Sequence, residues 1–493
     1  MLNYVEYRTK EFLAEMPKEV RKKHGQFFTS VEVARFMANL FTIHSTEVSI
    51  LDPGAGSGIL SIAFLERLDK EKSVRKVSLT CYETDASILP LLKQNLIYAQ
   101  SVVSFELHFN ILHKNYILSQ QDEYNELLFV QSSRKKWDYV IGNPPYMKIG
   151  KNDLEAQAMP DICHGAPNLY FLFAMMSLFN LREQGELVYI MPRSWTSGAY
   201  FKAFRKKFLD QGKLEQIHLF ASRDKVFDKV LQEVIIIKVQ KTKQKKDTVR
   251  ITSSADHAFS RLTELNIPYD VIVDDKEYYV YLITTKKEAF VIQCLKKWKN
   301  TLPAIGMRMK TGLTVDFRER QWLADEPSSD TIPMFFAQHL QAGRISYPCG
   351  KYGEYLKQGK TGLMQKNTNY LFCKRFTAKE EARRLQCAIY LAKDFSAFRY
   401  ISTQNKINFI ASVQDDLTEE DVYGLYVLFN SKEYDTYYRV LNGSTQVNST
   451  EVNSMPVPAR KIIREMGKNL LDKMDFSEKC CSKILGEYLY GED

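Results

Sequence analysis

Cysteine pairs, glycine, proline and long apolar runs are all scarce in this chain, and each scarcity argues against a class of protein. The eight cysteines include no Cys-x-x-Cys pair, so neither a disulfide framework nor a structural zinc site is expected. The 22 glycines and 15 prolines are too few for a collagen-like or low-complexity chain. The longest apolar run, at residues 169–179, is far shorter than the ~20 residues of a membrane helix. The first residues do not resemble a signal peptide, so we expect a cytoplasmic protein. Because the cysteines lack metal-ligand spacing, we expect it to hold no metal.

The composition is that of a globular protein, but its charge is unevenly distributed. The 493 residues are 45% hydrophobic and 26% charged, which predicts two or three ordered domains. The net charge of +9 divides into +3 for residues 1–240, +12 for 241–410 and −6 for 411–493. The middle segment therefore has the electrostatic character of a surface that binds a polyanion such as a nucleic acid.

Short β-rich runs alternate with helical patterns over the first 240 residues. The predicted strands include residues 48–51, 77–82, 137–141, 186–191 and 231–239, and the helices include 59–68, 88–98 and 168–180. This alternation predicts an α/β domain with a mostly parallel sheet that is covered on both faces. We place a basic linker at residues 241–250. Residues 251–493, in which aromatic and basic residues mix, form a second domain with mixed helices and strands.

A glycine-rich turn follows the first strand, in the sequence Leu51-Asp52-Pro53-Gly54-Ala55-Gly56-Ser57-Gly58. Glycines permit positive φ and close backbone approach, and a helix begins directly after them. The spacing differs from the dinucleotide and P-loop fingerprints. The acidic Asp52 suits a positively charged ligand, such as the sulfonium of S-adenosylmethionine. Glu83, at the end of the next strand, is placed to accept hydrogen bonds from ribose hydroxyls.

A second motif, Asn143-Pro144-Pro145-Tyr146, follows the strand that begins at Trp137. The two prolines fix φ and stiffen the loop at the edge of the sheet where α/β proteins bind ligands. The Asn143 side-chain oxygen and the Pro144 carbonyl can accept both hydrogens of an amino group, which directs its lone pair at a methyl donor. Tyr146 offers a ring face for a planar substrate.

These motifs resemble those of the gamma-class N6-adenine DNA methyltransferases, in which the cofactor motif precedes the Asn-Pro-Pro-Tyr motif. The resemblance implies a Rossmann-like catalytic domain at residues 1–240 that binds S-adenosylmethionine. It implies a cofactor site formed by Thr29, Asp52, Gly54, Gly56 and Glu83. Asn110 stands where the family usually has an aspartate that contacts the cofactor adenine. It also implies a catalytic group of Asn143, Pro144, Tyr146 and Phe227, with the two rings stacked on a flipped-out adenine.

The second domain resembles that of the BsuBI/PstI-like enzymes, the modification enzymes of bacterial type II restriction–modification systems. By that resemblance, residues 251–493 are a target-recognition domain that binds double-stranded DNA. The candidate contacts are Arg318, Lys374, Arg375, Arg383, Arg384 and Gln446. A cognate restriction endonuclease that acts on the same site is the implied partner, in a bacterial cytoplasm. We expect a monomer or a weak dimer.

Two alternatives remain open from the sequence. Enzymes that methylate a glutamine amide in release factors carry the same Asn-Pro-Pro-Tyr turn, because an amide nitrogen has the same delocalised lone pair. The large basic second domain and the Phe227 motif favour DNA over a protein substrate. The other alternative is a non-catalytic DNA-binding protein that retains the fold, although the intact Asn143 motif favours activity.

Overall fold

A computed structural model gives the fold as two compact units. It describes residues 1–15, 29–126, 136–220, 233–244, 247–378, 380–442 and 445–491. The first unit comprises residues 1–196 and 200–284, and the second comprises 197–199 and 285–493. Among the described residues, no helix has both the length and the apolar character that would let it cross a membrane.

The first unit alternates helices with strands. Its helices are α1 (Leu2–Glu15), α2 (Val31–Asn39), α3 (Ile59–Asp69), α4 (Leu89–Val102), α5 (Gln121–Tyr124), α6 (Leu154–Ala158), α7 (Leu169–Asn180), α8 (Lys202–Gln211) and α9 (Tyr269–Ile272). Its strands are β1 (Glu47–Asp52), β2 (Lys76–Tyr82), β3 (Glu106–Leu112), β4 (Trp137–Gly142), β5 (Leu181–Pro192), β6 (Gly212–Phe220), β7 (Val234–Lys241), β8 (Thr248–Ser254) and β9 (Leu262–Pro268).

These strands form one nine-stranded sheet in the order β3-β2-β1-β4-β5-β7-β6-β8-β9. The five strands from β3 to β5 run parallel, whereas β7 is antiparallel to both of its neighbours. The strand order reverses between β1 and β4, which places a crevice at the carboxyl ends of these two strands. The predicted mostly parallel α/β sheet is therefore confirmed.

Both faces of the central strands are buried, because alternate residues of a strand point to opposite faces. Ile50 and Ile141 lie on one face in the core that α1 to α4 complete, and neither is exposed to solvent. Leu51 and Val140 point to the other face and are also fully buried. Helix α7 lies on that second face, where the hydroxyl groups of Ser177 and Tyr189 form a 2.6 Å hydrogen bond.

The predicted boundary at residues 240–251 is corrected by the sheet. Strand β7 extends to Lys241, and β8 begins only seven residues later and pairs in parallel with β6. The polar segment at 241–250 therefore connects two strands of one sheet. The first unit ends at Thr284, because β8, β9 and α9 belong to the sheet domain.

The second unit combines two small sheets with a group of helices, as the mixed α+β expectation requires. Its helices are α10 (Lys286–Leu295), α11 (Glu419–Asn430), α12 (Lys432–Leu441), α13 (Ser449–Ser454), α14 (Arg460–Lys473) and α15 (Glu478–Leu489). Its strands are β10 (Met307–Thr311), β11 (Leu323–Ala324), β12 (Thr331–Phe335), β13 (Leu340–Gln341), β14 (Arg344–Ile345), β15 (Tyr355–Lys357), β16 (Gln365–Lys366), β17 (Tyr370–Lys374), β18 (Cys387–Tyr390), β19 (Tyr400–Thr403) and β20 (Ile407–Ser412). The two sheet orders are β10-β20-β17-β18-β14-β13 and β11-β15-β12-β19-β16.

Helices α11 and α14 of this unit cross at two glycines. A Cβ atom at Gly424 would lie 1.8 Å from the Ile463 carbonyl oxygen, and one at Gly467 would lie 2.0 Å from the Glu420 carbonyl oxygen. The backbones can approach this closely only because neither position carries a side chain.

Candidate functional site

A cavity of about 320 Å³ opens at the carboxyl ends of β1, β2 and β4, where the strand order reverses. This is the edge of an α/β sheet at which ligands bind, and the volume suits one small molecule. The residues that line it include Thr29, Gly54, Gly56, Ser57, Glu83, Asp85, Asn115, Asn143, Pro145, Glu155 and Phe173. The cavity therefore brings together four of the six predicted cofactor residues and the first residue of the predicted catalytic motif.

The glycine loop forms one wall of the cavity and is held by helix α4. Gly56 and Gly58 have backbone φ angles of 53° and 84°, which residues other than glycine rarely adopt. A Cβ atom at Gly58 would also lie 2.8 Å from the Leu92 side chain. The buried side-chain amide of Asn95 donates to the Ser57 carbonyl at 2.8 Å. This bond from α4 holds the loop in place at the end of β1.

Glu83 joins the end of β2 to this loop. Its carboxylate accepts hydrogen bonds from the backbone N–H of Gly56 at 2.8 Å, of Thr84 at 2.7 Å and of Asp85 at 2.8 Å. Three donors fix both oxygens at the wall of the cavity, and Oε2, which accepts only from Gly56, retains capacity to accept from a ligand.

Asp52, a predicted cofactor residue, is not in the cavity wall. Asp52 is fully buried, does not line the cavity, and accepts a 2.7 Å hydrogen bond from the Ser61 hydroxyl of α3. Burial raises the pKa of its carboxyl to about 7, although the bond from Ser61 opposes that rise. The last residue of β1 points into the protein, which leaves Pro53 and Gly54 to line the cavity.

The Ser57 hydroxyl is a polar group that sequence reasoning missed. Ser57 is 1% exposed and lines the cavity, and its Oγ has no hydrogen-bond partner among the described residues. A buried hydroxyl without a partner is costly unless something that enters the cavity bonds to it. Its position between two glycines at the start of α3 was the signal available in the sequence.

Asn143 lies at the end of β4, and its side chain is oriented by Thr29. The Asn143 Nδ2 group donates to the Thr29 hydroxyl at 3.1 Å, and both residues line the cavity. Because the amide nitrogen makes this bond, the acceptor Oδ1 lies on the side of the amide away from Thr29. Pro144 is buried and Pro145 lines the cavity, so the prolines hold the loop that carries the amide.

Tyr146 is partly buried and does not line the cavity. Its hydroxyl donates to the Ile190 carbonyl in β5 at 3.2 Å, and its ring meets Tyr170 edge-on. Burial raises the pKa of the Tyr146 phenol well above its usual value, so the hydroxyl stays protonated and donates. Phe227, the predicted opposing ring, lies outside the described residues.

The adenine contact predicted for Asn110 is wrong in its position. Asn110 is inside β3, exposed, and absent from the cavity wall. The wall contains Asn115 instead, in the loop after the strand, and its amide donates to the Glu155 carboxylate of α6 at 2.7 Å. Ligands bind beyond the carboxyl ends of strands, and Asn115 lies there because β3 ends at Leu112, whereas Asn110 is within the strand.

Comparison with known proteins assigns the family. Residues 65–227 match the model of the Eco57I restriction-modification methylases. The chain is 32% identical to the type II methyltransferase M.PstI of Providencia stuartii, over 96% of this chain and 94% of that protein. It is 31% identical to the type II methyltransferase M.BsuBI of Bacillus subtilis, over 92% and 91%. The chain belongs to this family of type II methyltransferases.

A solved structure shares the fold of the methyltransferase over its whole length. The type IIL restriction-modification enzyme MmeI, solved in complex with DNA, superposes with a TM-score of 0.52 at 12% identity. The match covers 100% of this chain and 74% of that one. At this level of identity the likeness concerns the fold alone.

Two of the predicted DNA contacts in the methyltransferase's second unit are occupied internally. Arg384 is fully buried: its side chain donates to the Thr377 hydroxyl at 3.2 Å and lies over the Tyr438 ring. It therefore cannot reach a phosphate, and that prediction is wrong. Arg383 is half-buried and pairs with Glu478, and it also donates to two backbone carbonyls. Its role in the structure is to join the segment before β18 to the helices.

The other four predicted contacts are at least partly accessible. Arg318 and Gln446 are exposed, and Lys374 and Arg375 are half-buried. The Arg375 guanidinium donates to the Asn405 carbonyl at 3.1 Å and to the Gln446 side-chain oxygen at 3.5 Å. The structure therefore brings Arg375 and Gln446 together.

His339, Cys349 and Glu354 form a cluster in the second unit with the composition of a metal site. However, the His339 Nδ1 accepts the Phe336 N–H at 2.9 Å, so its proton is on Nε2 and is donated to Glu354 at 2.6 Å. Glu354 also accepts from the backbone of Cys349 at 2.8 Å. These bonds use the groups that a metal would need, and they serve to close the loop after β14.

Proposed function

We propose that this type II methyltransferase transfers a methyl group from S-adenosylmethionine to N6 of an adenine in double-stranded DNA. The observation that carries the proposal is the Asn143 amide, oriented by Thr29 at the edge of the cavity that the glycine loop forms. This arrangement presents a fixed acceptor to an amino group beside a site for a methyl donor. The relatives at 31–32% identity, which are named type II methyltransferases, support the same reaction class.

The residues of the cavity fit S-adenosylmethionine. Glu83 offers acceptor capacity for ribose hydroxyls, and the loop of Gly54 and Gly56 allows close backbone approach. The amino end of α3 suits a carboxylate such as that of the methionine moiety, and so does the Ser57 hydroxyl beside it, which has no partner in the described part of the chain. When bound, this cofactor supplies a methyl carbon on a positively charged sulfur.

The chemistry required of the protein is orientation of a weak nucleophile. The lone pair of an exocyclic amine is delocalised into the ring, and holding both hydrogens in acceptors directs it out of that conjugation. Asn143 Oδ1 and the Pro144 carbonyl are the two acceptors in this proposal, and the prolines prevent their relaxation. Positioning and fixed dipoles suffice, since the proton leaves the amine only after attack.

A duplex base has to leave the stack to reach this cavity, which costs a few kcal/mol. We assign stacking on the extruded adenine to Tyr146 and Phe227, each contributing about 1–3 kcal/mol by analogy with single-strand binding.

The second unit, which contains most of the positively charged segment 241–410, supplies the phosphate and base contacts. Arg318, Lys374, Arg375 and Gln446 remain the residues proposed to form the DNA-binding surface there. The proposed biological partner is a cognate restriction endonuclease whose site this methylation protects, and the proposed oligomeric state is a monomer or weak dimer.

Modification-sensitive sequencing of DNA from cells that express the protein tests the proposal. It should report N6-methyladenine at one sequence context and no modification of other bases. Incubation with labelled cofactor and either plasmid DNA or purified release factor tests the alternative substrate. Label found only on the release factor would overturn the DNA proposal and support glutamine methylation.

The Asn143→Ala variant tests the mechanism. It should lose at least about a hundredfold in methyl transfer, the range of a removed positioning acceptor, and should retain DNA binding. Asn266→Ala is the matched control, because Asn266 is an exposed residue of β9 outside the cavity. Full activity of Asn143→Ala would contradict the mechanism.

A further inference from the structure

Four loops at one end of the six-stranded sheet of the second unit are joined by backbone hydrogen bonds. The loop after β10 bonds to the turn before β20 through Thr314 and Asn405, at 2.8 Å. That turn bonds to the segment after β17 through Lys406 and Arg375, at 2.9 Å. The segment after β17 in turn bonds to the loop before α13 through Arg375 and Val447, at 2.6 Å. We call the surface made by residues 314–318, 375–377, 404–406 and 445–447 the loop face.

Arg375 is the residue that holds this face together. Beyond its two backbone bonds, its guanidinium donates to the Asn405 carbonyl and to the Gln446 side-chain oxygen, at 3.1 and 3.5 Å. A planar guanidinium can bridge two loops in this way because its donors point in fixed directions. Two of its donors are therefore directed at protein acceptors, and one of these bonds orients Gln446.

The side chains that the loop face presents to solvent include basic, amide and aromatic groups. Lys406 and Gln446 are exposed, and the Phe376 ring is 46% exposed beside the Arg375 guanidinium. Phe317 is 63% exposed, with Arg318 over its ring. The carboxylate of Asp316, also on this face, accepts a 2.8 Å hydrogen bond from the Gln404 amide. Exposed aromatic rings can stack on bases while the cations beside them pair with phosphates, so this combination suits a nucleic acid.

We propose that the loop face is the DNA-reading surface of the second unit, and that Arg375 acts there as an internal brace. Lys406 contacts a phosphate, Gln446 reads a base edge in the orientation that Arg375 imposes, and Phe376 packs against a base or sugar. Glutamine is suited to this task because its amide can pair with two groups of an adenine edge in the major groove. This inference rests on the proposed function and adds Phe376 and Lys406 to the residues considered so far.

The test is equilibrium binding, over a range of salt concentrations, to two short unmethylated duplexes. One carries the sequence that the enzyme methylates, and the other is a scrambled sequence. Lys406→Gln should reduce the slope of log affinity against log salt by about one phosphate contact, on both duplexes. Phe376→Ala should weaken binding to the methylated sequence about tenfold, and should weaken binding to the scrambled duplex less. The control is Lys461→Gln, which removes an exposed charge from α14, outside the loop face.

Arg375→Met separates the brace from a phosphate contact. If Arg375 is a brace, the variant should have the salt slope of the wild type and a smaller preference for the sequence that the enzyme methylates. A slope reduced by about one would overturn the assigned role. The circular dichroism spectrum and melting temperature of each variant should equal those of the wild type, which shows that the fold is intact. If the wild-type protein methylates DNA but Lys406→Gln and Phe376→Ala both bind the duplexes as the wild type does, the assignment of the loop face is overturned and the proposed function is not. A wild-type protein that binds no duplex would overturn the proposed function as well.

Discussion

The side-chain amide of Asn143 donates to the hydroxyl of Thr29 across 3.1 Å, and the two residues are 114 positions apart in the sequence. The bond fixes which end of the amide is the acceptor. A freely rotating amide would present its NH₂ group to the substrate amine for part of the time, and two donors repel each other. Thr29, which the sequence assigned to the cofactor, thus also orients the proposed catalytic acceptor.

Replacing Thr29 tests this relationship. Thr29→Val removes the hydroxyl and keeps the shape, so the Asn143 amide loses its orienting partner. We expect turnover at saturating cofactor to fall about tenfold, which corresponds to about 1.4 kcal/mol and is near the worth of one hydrogen bond. Single-turnover methylation of DNA measures this directly, and Thr29→Ser should restore most of the rate.

The cofactor affinity provides the counter-test. If Thr29 acted only on the cofactor, Thr29→Val would raise the dissociation constant of S-adenosylmethionine and leave the single-turnover rate at saturation unchanged. That outcome in calorimetry and kinetics would contradict the orienting role.

A second prediction concerns Glu83, whose two oxygens accept three backbone N–H groups. Glu83→Gln replaces one acceptor oxygen with an NH₂ group that faces a backbone donor. The two donors repel each other, so residue 83 no longer holds the surrounding backbone in place at the cavity. We expect the dissociation constant of S-adenosylmethionine to rise at least about tenfold, measured by calorimetry, with the rate at saturation little changed. Glu47→Gln, an exposed change at the start of β1, is the control. Wild-type affinity in Glu83→Gln would show that this carboxylate does not form the site.

The glycine loop and the Asn143 turn were predictable because the residues that form each are adjacent in the sequence. The apolar β1, the glycines and the following α3 are contiguous, and the prolines after β4 restrict only their neighbours. The parallel sheet then brings Glu83 and Asn143 to one edge without any further information.

The errors arose where distant contacts decide the outcome. Arg384 lies in a charged segment that is typical of a solvated surface, yet Tyr438, 54 residues later in the sequence, covers it. The segment at 241–250 has the composition of a linker, and only the pairing of β8 with β6 shows that the sheet continues. Neither contact leaves a periodic or local signal in the sequence.

Asn95 carries a third prediction, because its buried amide supports the cavity wall through the Ser57 carbonyl. Asn95→Leu removes the donor and leaves that carbonyl without its partner, at a cost of about 1–3 kcal/mol. We expect a melting temperature several degrees lower and weaker binding of S-adenosylmethionine, both measured in one thermal-shift titration. Lys93→Leu, an exposed position of the same helix α4, should change neither. Equal melting of Asn95→Leu and wild type would exclude the supporting role.

Asp52 makes the stability of the first unit depend on pH. Burial raises its pKa to about 7, compared with about 3.9 in an unfolded chain, so between these values the folded protein keeps a proton that the unfolded chain loses. The contribution of Asp52 is therefore largest below about pH 4 and declines as pH rises to about 7. In denaturant unfolding followed by a first-unit probe, the stability of the wild type relative to Asp52→Asn should be greater at pH 5 than at pH 8. Ser61→Ala removes the hydrogen bond that opposes the shift, so it should extend the decline to higher pH. A relative stability that is the same at both pH values would mean that Asp52 folds as a carboxylate.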